Sequence, residues 1–389
     1  MSSSTVMTSR DRLLTTLSHK EPDRVPFDIG ATFVTGVHEI AYERLRTELG
    51  MDPAYTMWDR KLGLARVDDD VRNHFQVDAG LLGAAAPNPD TYKADIVQVG
   101  DDLLLTDEYG IVWRKPIKGG LYYDLYKSPL AGDITEQDIA NYPWPDPTDP
   151  MRFARLRQDA EKVVLTEQRA SICRGIISGH LESALWLRGY EEFYMDLVAE
   201  PSLAEALLDK VFEIKTAYWG RVFEEVGDML DLVNEADDYG GQNTLLIAPA
   251  TWRKMIKPRL AKFCEFVHNN SKAKVFLHSD GAIREIIPDL IEAGVDVLNP
   301  VQFTATGMEL SALKHDFGKD VCFWGGSVDS QGVLPNGTPE EVRDQVRRNV
   351  ETLMPDGGYI CANVHNIQPD VPPQNIVALW EAYSEVCEY

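Results

Sequence analysis

Paired cysteines are missing from this chain. The five present, Cys173, Cys264, Cys322, Cys361 and Cys387, are odd in number, scattered and form no CxxC pair, which argues against a disulfide framework and fits a reducing compartment. Long apolar runs are missing too. No stretch of about 18 apolar residues occurs, and the opening MSSSTVMTSRDR has no apolar segment of an export signal. The expected location is therefore cytoplasmic, with no membrane partner. Positive charge is scarce: 38 Lys and Arg stand against 62 Asp and Glu, a formal net charge of −24. Such a surface repels phosphate backbones and anionic lipid, so no nucleic-acid partner is expected and a polyanionic substrate is disfavoured. The glycine pair of GGSVD at 325–329 suits a phosphate-cradling turn, but no full GxGxxG or Walker pattern accompanies it, so no nucleotide site is invoked.

What is present reads as an ordinary soluble globular enzyme. Hydrophobic residues make up 44% and charged residues 26% of 389 positions, enough chain for one large barrel or two ordinary domains. The clearest unit is 273–302, AKVFLHSDGAIREIIPDLIEAGVDVLNPVQ. There 274–277 is a short apolar β-rich run, 283–293 has helical periodicity, Gly294 ends that helix and 295–298 is a second apolar run. Two parallel strands joined by a helix follow, with His278, Ser279, Asp280 and Gly281 in the loop where such folds place their ligands.

The same alternation extends along the chain. Strands are expected at 24–29, 75–82, 171–179, 229–234, 274–277, 295–298, 321–325 and 359–362, with helices between them. About eight strand-helix units is the count of a closed (β/α)8 TIM barrel, the fold expected here as one domain over 1–389, with a doubly wound open sheet as the alternative. Residues 95–115 alternate and turn twice, which predicts an inserted antiparallel hairpin or meander. The four prolines of 141–150 predict a rigid connector.

In a barrel, polar residues just past the strand ends share one pocket. Asp78, His180, Glu182, Glu235, Asp237, Asp238, His278, Asp280, Gln302, Asp329 and His365 all fall at such positions. His278, Asp280 and His365, with a carboxylate from Glu235 or Asp237, make a nitrogen and oxygen set that suits zinc or a similar divalent ion. Strand-end histidines also serve as structural hydrogen-bonding residues, and the acids at 235–238 also suit loop capping. Most tryptophans read as core, whereas Trp324 at the end of a strand could face the pocket.

Several motifs together are similar to the uroporphyrinogen decarboxylase superfamily. They are RDRLLTTLSHKEPDRVPFDIG, EADDYGGQNTLLIAPATWRKMIKPRL, HSDG with IIPDLIEAGVDVLNPVQ, WGGSVDSQGVLPNGTPEEV and HNIQPDVPPQNI, and they span most of the chain. The resemblance implies a (β/α)8 barrel with its cleft at the strand C-termini. True decarboxylases of the superfamily carry an arginine-rich segment after the first strand for a many-carboxylate substrate; here that stretch is DIGATFVTGVHEI, without arginine. The corrinoid-dependent methyltransferase branch, by contrast, binds zinc through His-x-Cys and a later Cys in its thiol-methylating members. Those ligands fall on His278, Asp280 and His365, so both thiolates are replaced and thiol activation is not implied.

The O-demethylase members of that branch are the better match. They move a methyl group from a methyl ether, often a methoxylated aromatic, to cob(I)alamin held by a separate corrinoid protein. On this reading the ether oxygen is activated either by zinc at His278 and His365, aided by Asp280 or Glu235, or by an acid such as Asp237; Asp78 is a further catalytic candidate, and Glu182, Gln302, Trp324 and Asp329 are candidate substrate contacts. A corrinoid protein partner and a homodimer are further implications. The alternatives are a metal-independent decarboxylase of a small or tetrapyrrole-like carboxylic acid using Asp78, and a barrel that binds corrinoid, tetrapyrrole or an aromatic ligand without turnover.

Overall fold

The apolar runs of the sequence become the staves of a curled parallel sheet. A computed structural model describes residues 7–83, 87–88 and 92–389, which leaves the first six residues of the opening polar stretch outside the described residues. Seven parallel strands pair in chain order: Ala79–Leu82, Ala170–Arg174, Leu232–Ala236, Lys274–His278, Val297–Asn299, Cys322–Trp324 and Tyr359–Ile360. All five residues of Leu232–Ala236 are buried, as expected where a strand has side chains inside the curl on one face and helices on the other.

The eighth expected strand, 24–29, is a closing segment without a regular ladder. Cys361 N–H donates to Pro26 O at 2.8 Å, Asp28 N–H donates to Cys361 O at 2.9 Å, and Asp78 N–H donates to Phe27 O at 2.9 Å. The segment thus bridges the last strand and the first. Pro26 has no N–H to give, which limits the ladder to these bonds.

Helices cover the outside. Pro339–Leu353 shows why they form where they do: Thr338 and Glu341 make a reciprocal capping box, proline occupies the first turn, and Val342, Val346, Val350 and Leu353 form a buried stripe. The longest, Pro201–Val226, packs Trp219 and Tyr218 fully inside. Among the described residues no helix is long and apolar enough to cross a membrane.

The insertion is larger than a hairpin at 95–115. Ile96–Val99, Asp102–Thr106, Val112–Pro116 and Asp124–Lys127 form a four-stranded antiparallel sheet. Its fourth strand lies beyond the glycine pair at 119–120, where alternation is weak. In the proline-rich connector, Trp144 donates its indole N–H to Ile139 O at 2.9 Å, anchoring it to the helix Glu136–Asn141.

Asp78 does not reach the pocket expected for it. The strand begins after Asp78, at Ala79, so the residue sits at the N-terminal end of the barrel, opposite the strand C-termini. Its carboxylate is fully buried and accepts from Arg12 at 2.7 Å, Arg24 at 2.8 Å and the Phe27 N–H at 2.9 Å. It is a clamp between the opening helix, the closing segment and the first full strand. Removing one partner of such a cluster leaves uncompensated buried charge. Asp78→Ala is therefore expected to lower the unfolding free energy by about 3–5 kcal/mol, read from urea denaturation.

Candidate functional site

The turn after Lys274–His278 is shaped by its glycine. Gly281 has φ +86°, and a Cβ there would meet the Gly240 carbonyl at 2.4 Å, so the turn from this strand can lie flat against the one from Leu232–Ala236. Backbone and side-chain bonds join the two turns: Asp237 N–H donates to His278 O at 2.9 Å, Tyr239 N–H to Ser279 Oγ at 3.0 Å, and Asp280 N–H to Asp238 Oδ1 at 2.9 Å.

On this platform His278, Asp280 and His365 come together. Asp280 Oδ2 lies 3.6 Å from His278 Nε2 and 3.6 Å from His365 Nε2, while Asp238 Oδ1 lies 3.8 Å from His278 Nε2. The other nitrogen of His278, Nδ1, is 2.5 Å from Asn299 Oδ1, and Asn299 in turn donates to Trp324 O at 2.8 Å. That arrangement protonates Nδ1 and turns Nε2 toward the acids. His365 arrives in a left-handed backbone conformation, φ +61°, which costs on the order of 1 kcal/mol for a non-glycine residue. Its carbonyl is held by the Asn363 side chain.

The electrostatics follow from these contacts. Burial opposes the His278 imidazolium, but Asp280 and Asp238 outweigh it and hold His278 at about 9. Burial likewise raises Asp280, yet His278 and His365 pull it down to about 2. Asp238 is pushed up by burial and by Asp280 beside it.

The trio suits a divalent ion. One donor atom from each residue lies within 4.8 Å of the others, the 3.6 Å separations are too long for hydrogen bonds, and Asp280 Oδ1 is buried with no partner. Two imidazoles and a carboxylate match the ligand chemistry of zinc.

Above the trio opens a cavity of about 630 Å³, within the range of small-molecule sites. Its floor includes Asn234, Ala236, Asp238, His278 and His365, and one wall is the inserted antiparallel sheet, through Leu105, Asp107, Trp113 and Leu125. Trp186, Tyr190, Phe33, Lys61, Arg174 and Glu182 also line it. Burial, with Asp238 and Asp237 nearby, pushes the Glu182 carboxyl up to about 8, so it is largely protonated at neutral pH.

Strand alternation sorts the remaining expected residues. Asn234, Ala236 and Asp238 face the cavity, so Glu235 and Asp237 point toward the helices. Glu235 is buried against Lys215 and accepts from Trp219 Nε1 at 2.7 Å. Asp237 accepts from Leu181 N–H at 3.0 Å and Glu182 N–H at 2.8 Å, capping the helix His180–Arg188, with Tyr239 O–H at 2.9 Å. Gly179 permits this, since a Cβ there would sit 2.1 Å from that of Asp237. Gln302 accepts from Gly281 N–H at 2.9 Å and supports the turn. Trp324 is fully buried and donates to Asp28 at 2.9 Å. Asp329 accepts from Gln331 N–H at 2.9 Å in a local turn, and His180 packs between Phe212 and Phe263. None of these six lines the cavity.

Lys61, Arg174, Asp107, Trp113, Trp186 and Tyr190 line the cavity without having been expected there. Trp113 and Lys61 lie in the insertion and in a short loop, segments whose docking on the barrel leaves no periodic signal in sequence. Asp238 was recognisable as a pocket residue, and the alternation with Asn234 and Ala236 was the signal that singles it out over its neighbours.

A family model for uroporphyrinogen decarboxylase matches residues 131–386. The chain belongs to the uroporphyrinogen decarboxylase family. A structure of a methyltransferase from Methanosarcina mazei is similar over 97% of this chain and 99% of its own, at TM-score 0.65 and 17% identity, which shows a shared fold. A β-glycosidase from Thermosphaera aggregans overlaps 95% of this chain and 97% of its own at only TM-score 0.38 and 11% identity, too loose to bear on function. No curated protein matches the sequence.

In this uroporphyrinogen decarboxylase family member, Glu182 also leaves a stability signature. Its folded pKa is raised to about 8 from the ordinary carboxyl value of 4.5, so its contribution is full below the unfolded value and is lost as pH rises through the folded value. Wild-type protein is expected to lose about 4 kcal/mol more than Glu182→Gln between pH 5 and pH 9, measured by urea titration at each pH.

Proposed function

We propose that this chain is a methyltransferase that moves a methyl group from a methyl ether, of the methoxylated aromatic class, to a cob(I)alamin carried by a separate corrinoid protein. The observation that carries this reading is the His278, Asp280 and His365 cluster at the floor of an aromatic-walled cavity. The family's fold and the similarity to a methyltransferase structure are consistent with it.

An aryl methyl ether resists cleavage because its phenoxide leaves poorly. The methyl–oxygen bond breaks as the methyl group passes to the nucleophilic cobalt of the acceptor, and the oxygen keeps the electron pair until it is protonated. A zinc-like ion held by His278, Asp280 and His365 would supply Lewis acidity at that oxygen. Glu182, protonated near neutrality, is a proton source in the same cavity. Trp113, Trp186 and Tyr190 offer flat apolar faces to the ring and exclude water around it. Asn299 keeps His278 in the orientation that turns Nε2 to the site.

The decarboxylase alternative is weaker on this geometry. Asp78, the acid it would use, lies at the opposite end of the barrel. The cationic side chains of the cavity apart from histidine are Lys61 and Arg174, and Arg174 is 3.5 Å from Asp59, which is poor provision for many carboxylates.

Elemental analysis of protein purified without chelator is expected to find about one zinc per chain, lost in the His278→Ala, His365→Ala double variant. Asn299→Ala is expected to weaken the metal by about 10–100-fold. With a reduced corrinoid protein and methoxylated aromatics, the wild type should release the phenol, and the double variant should not. Metal-free wild-type protein, or zinc-loaded protein that forms no phenol with any such ether, would overturn the reading.

A further inference from the structure

Lys61 sits on the loop between Met57–Asp59 and Leu64–Ala65, and that loop is tied to the inserted sheet by Tyr123 N–H donating to Lys61 O at 3.0 Å. Its ammonium lies 4.0 Å from the centroid of the Trp113 ring and 4.2 Å from that of Trp186. Two indole faces therefore hold the charge in place without taking up its N–H groups. Among the described residues no acceptor lies within hydrogen-bond distance of this ammonium and no carboxylate within ion-pair distance.

The neighbouring acids are engaged elsewhere. Asp59 pairs with Arg174 and accepts from Leu62 N–H at 3.0 Å. Asp107 accepts from Trp113 Nε1 at 2.8 Å and from the Tyr109 and Ile111 N–H groups. Glu182 takes the Ser178 hydroxyl. Burial lowers the Lys61 ammonium below the ordinary lysine value, against the pull of Asp59, Asp107 and Glu182. Lys61 is only partly buried, and its N–H donors open onto the cavity that it lines.

We propose that Lys61 is an anion subsite of this cavity, taking a single carboxylate carried on the aromatic ring of the ligand. A carboxylate fits better than a dianion because Arg174, the other cation of the cavity apart from histidine, is already paired with Asp59. The inference rests on the methyl-ether reading for the identity of the ring, and on the lysine alone for the charge.

Binding followed by tryptophan fluorescence tests it, since Trp113 and Trp186 flank the ammonium. The probes are benzoate, which has the charge and no ether, anisole, which has the ether and no charge, and neutral benzamide. Wild-type protein is expected to bind benzoate at least about tenfold more tightly than benzamide. Lys61→Met should weaken benzoate by at least about tenfold and leave anisole within about twofold, while Lys61→Arg should keep benzoate within about threefold of wild type. Equal affinity of wild-type protein for benzoate and benzamide, or benzoate binding unchanged in Lys61→Met, would overturn the subsite. No methyl transfer is read in these measurements, so failure of the methyltransferase reading shows separately, as absence of phenol.

Discussion

Closure of the curled sheet is the constraint on which the rest depends. Residues 25–28 reach the last strand through Cys361 and the first through Asp78, and this brings the loop bearing His365 within reach of the turn bearing His278. The rings of the two histidines are 5.6 Å apart although 87 residues separate them in the chain. At the other end Asp78 neutralises Arg12 and Arg24 where the opening helix, the closing segment and the first strand meet. One buried carboxylate thus secures the seam, and the candidate site occupies the opposite rim. That division of labour is usual for barrels, whose N-terminal end carries stability and whose C-terminal end carries function.

At the rim the deciding factor is the two-residue period of a strand. It sends Asp238 into the cavity and turns Glu235 and Asp237 outward, where each has a structural task. Glu235 is balanced by Lys215 and Trp219 beneath the long helix, and Asp237 caps the N-terminus of the helix His180–Arg188. Three acids within four positions therefore divide into one site residue and two supports. The supports are not incidental, because the helix capped by Asp237 also bears Glu182 and Trp186, both of which line the cavity.

The inserted sheet has a larger part than its texture implies. It supplies Trp113 and Asp107 to the cavity wall, and it anchors the loop of Lys61. An acidic barrel mouth lined with only a few cations is thereby narrowed to an aromatic slot with the histidine and aspartate cluster at its floor.

Periodicity and turn chemistry were enough for much of this architecture. The strand, turn, helix and strand of 273–302, the capping box at Thr338, the histidine and aspartate of the HSDG turn, and His365 after the last strand are local patterns, and local patterns survive in a one-dimensional record. They determined a barrel and pointed to a nitrogen and oxygen cluster at one end. Tertiary structure alone decided which end of a strand Asp78 occupies, since a one-element shift of the boundary exchanges top for bottom. It alone decided which faces of 234–238 are inside, because facing follows from strand register. And it alone placed Lys61 between two tryptophans some 52 and 125 residues away in the chain, a contact set by how an insertion docks on the barrel, which no nearest-neighbour pattern encodes.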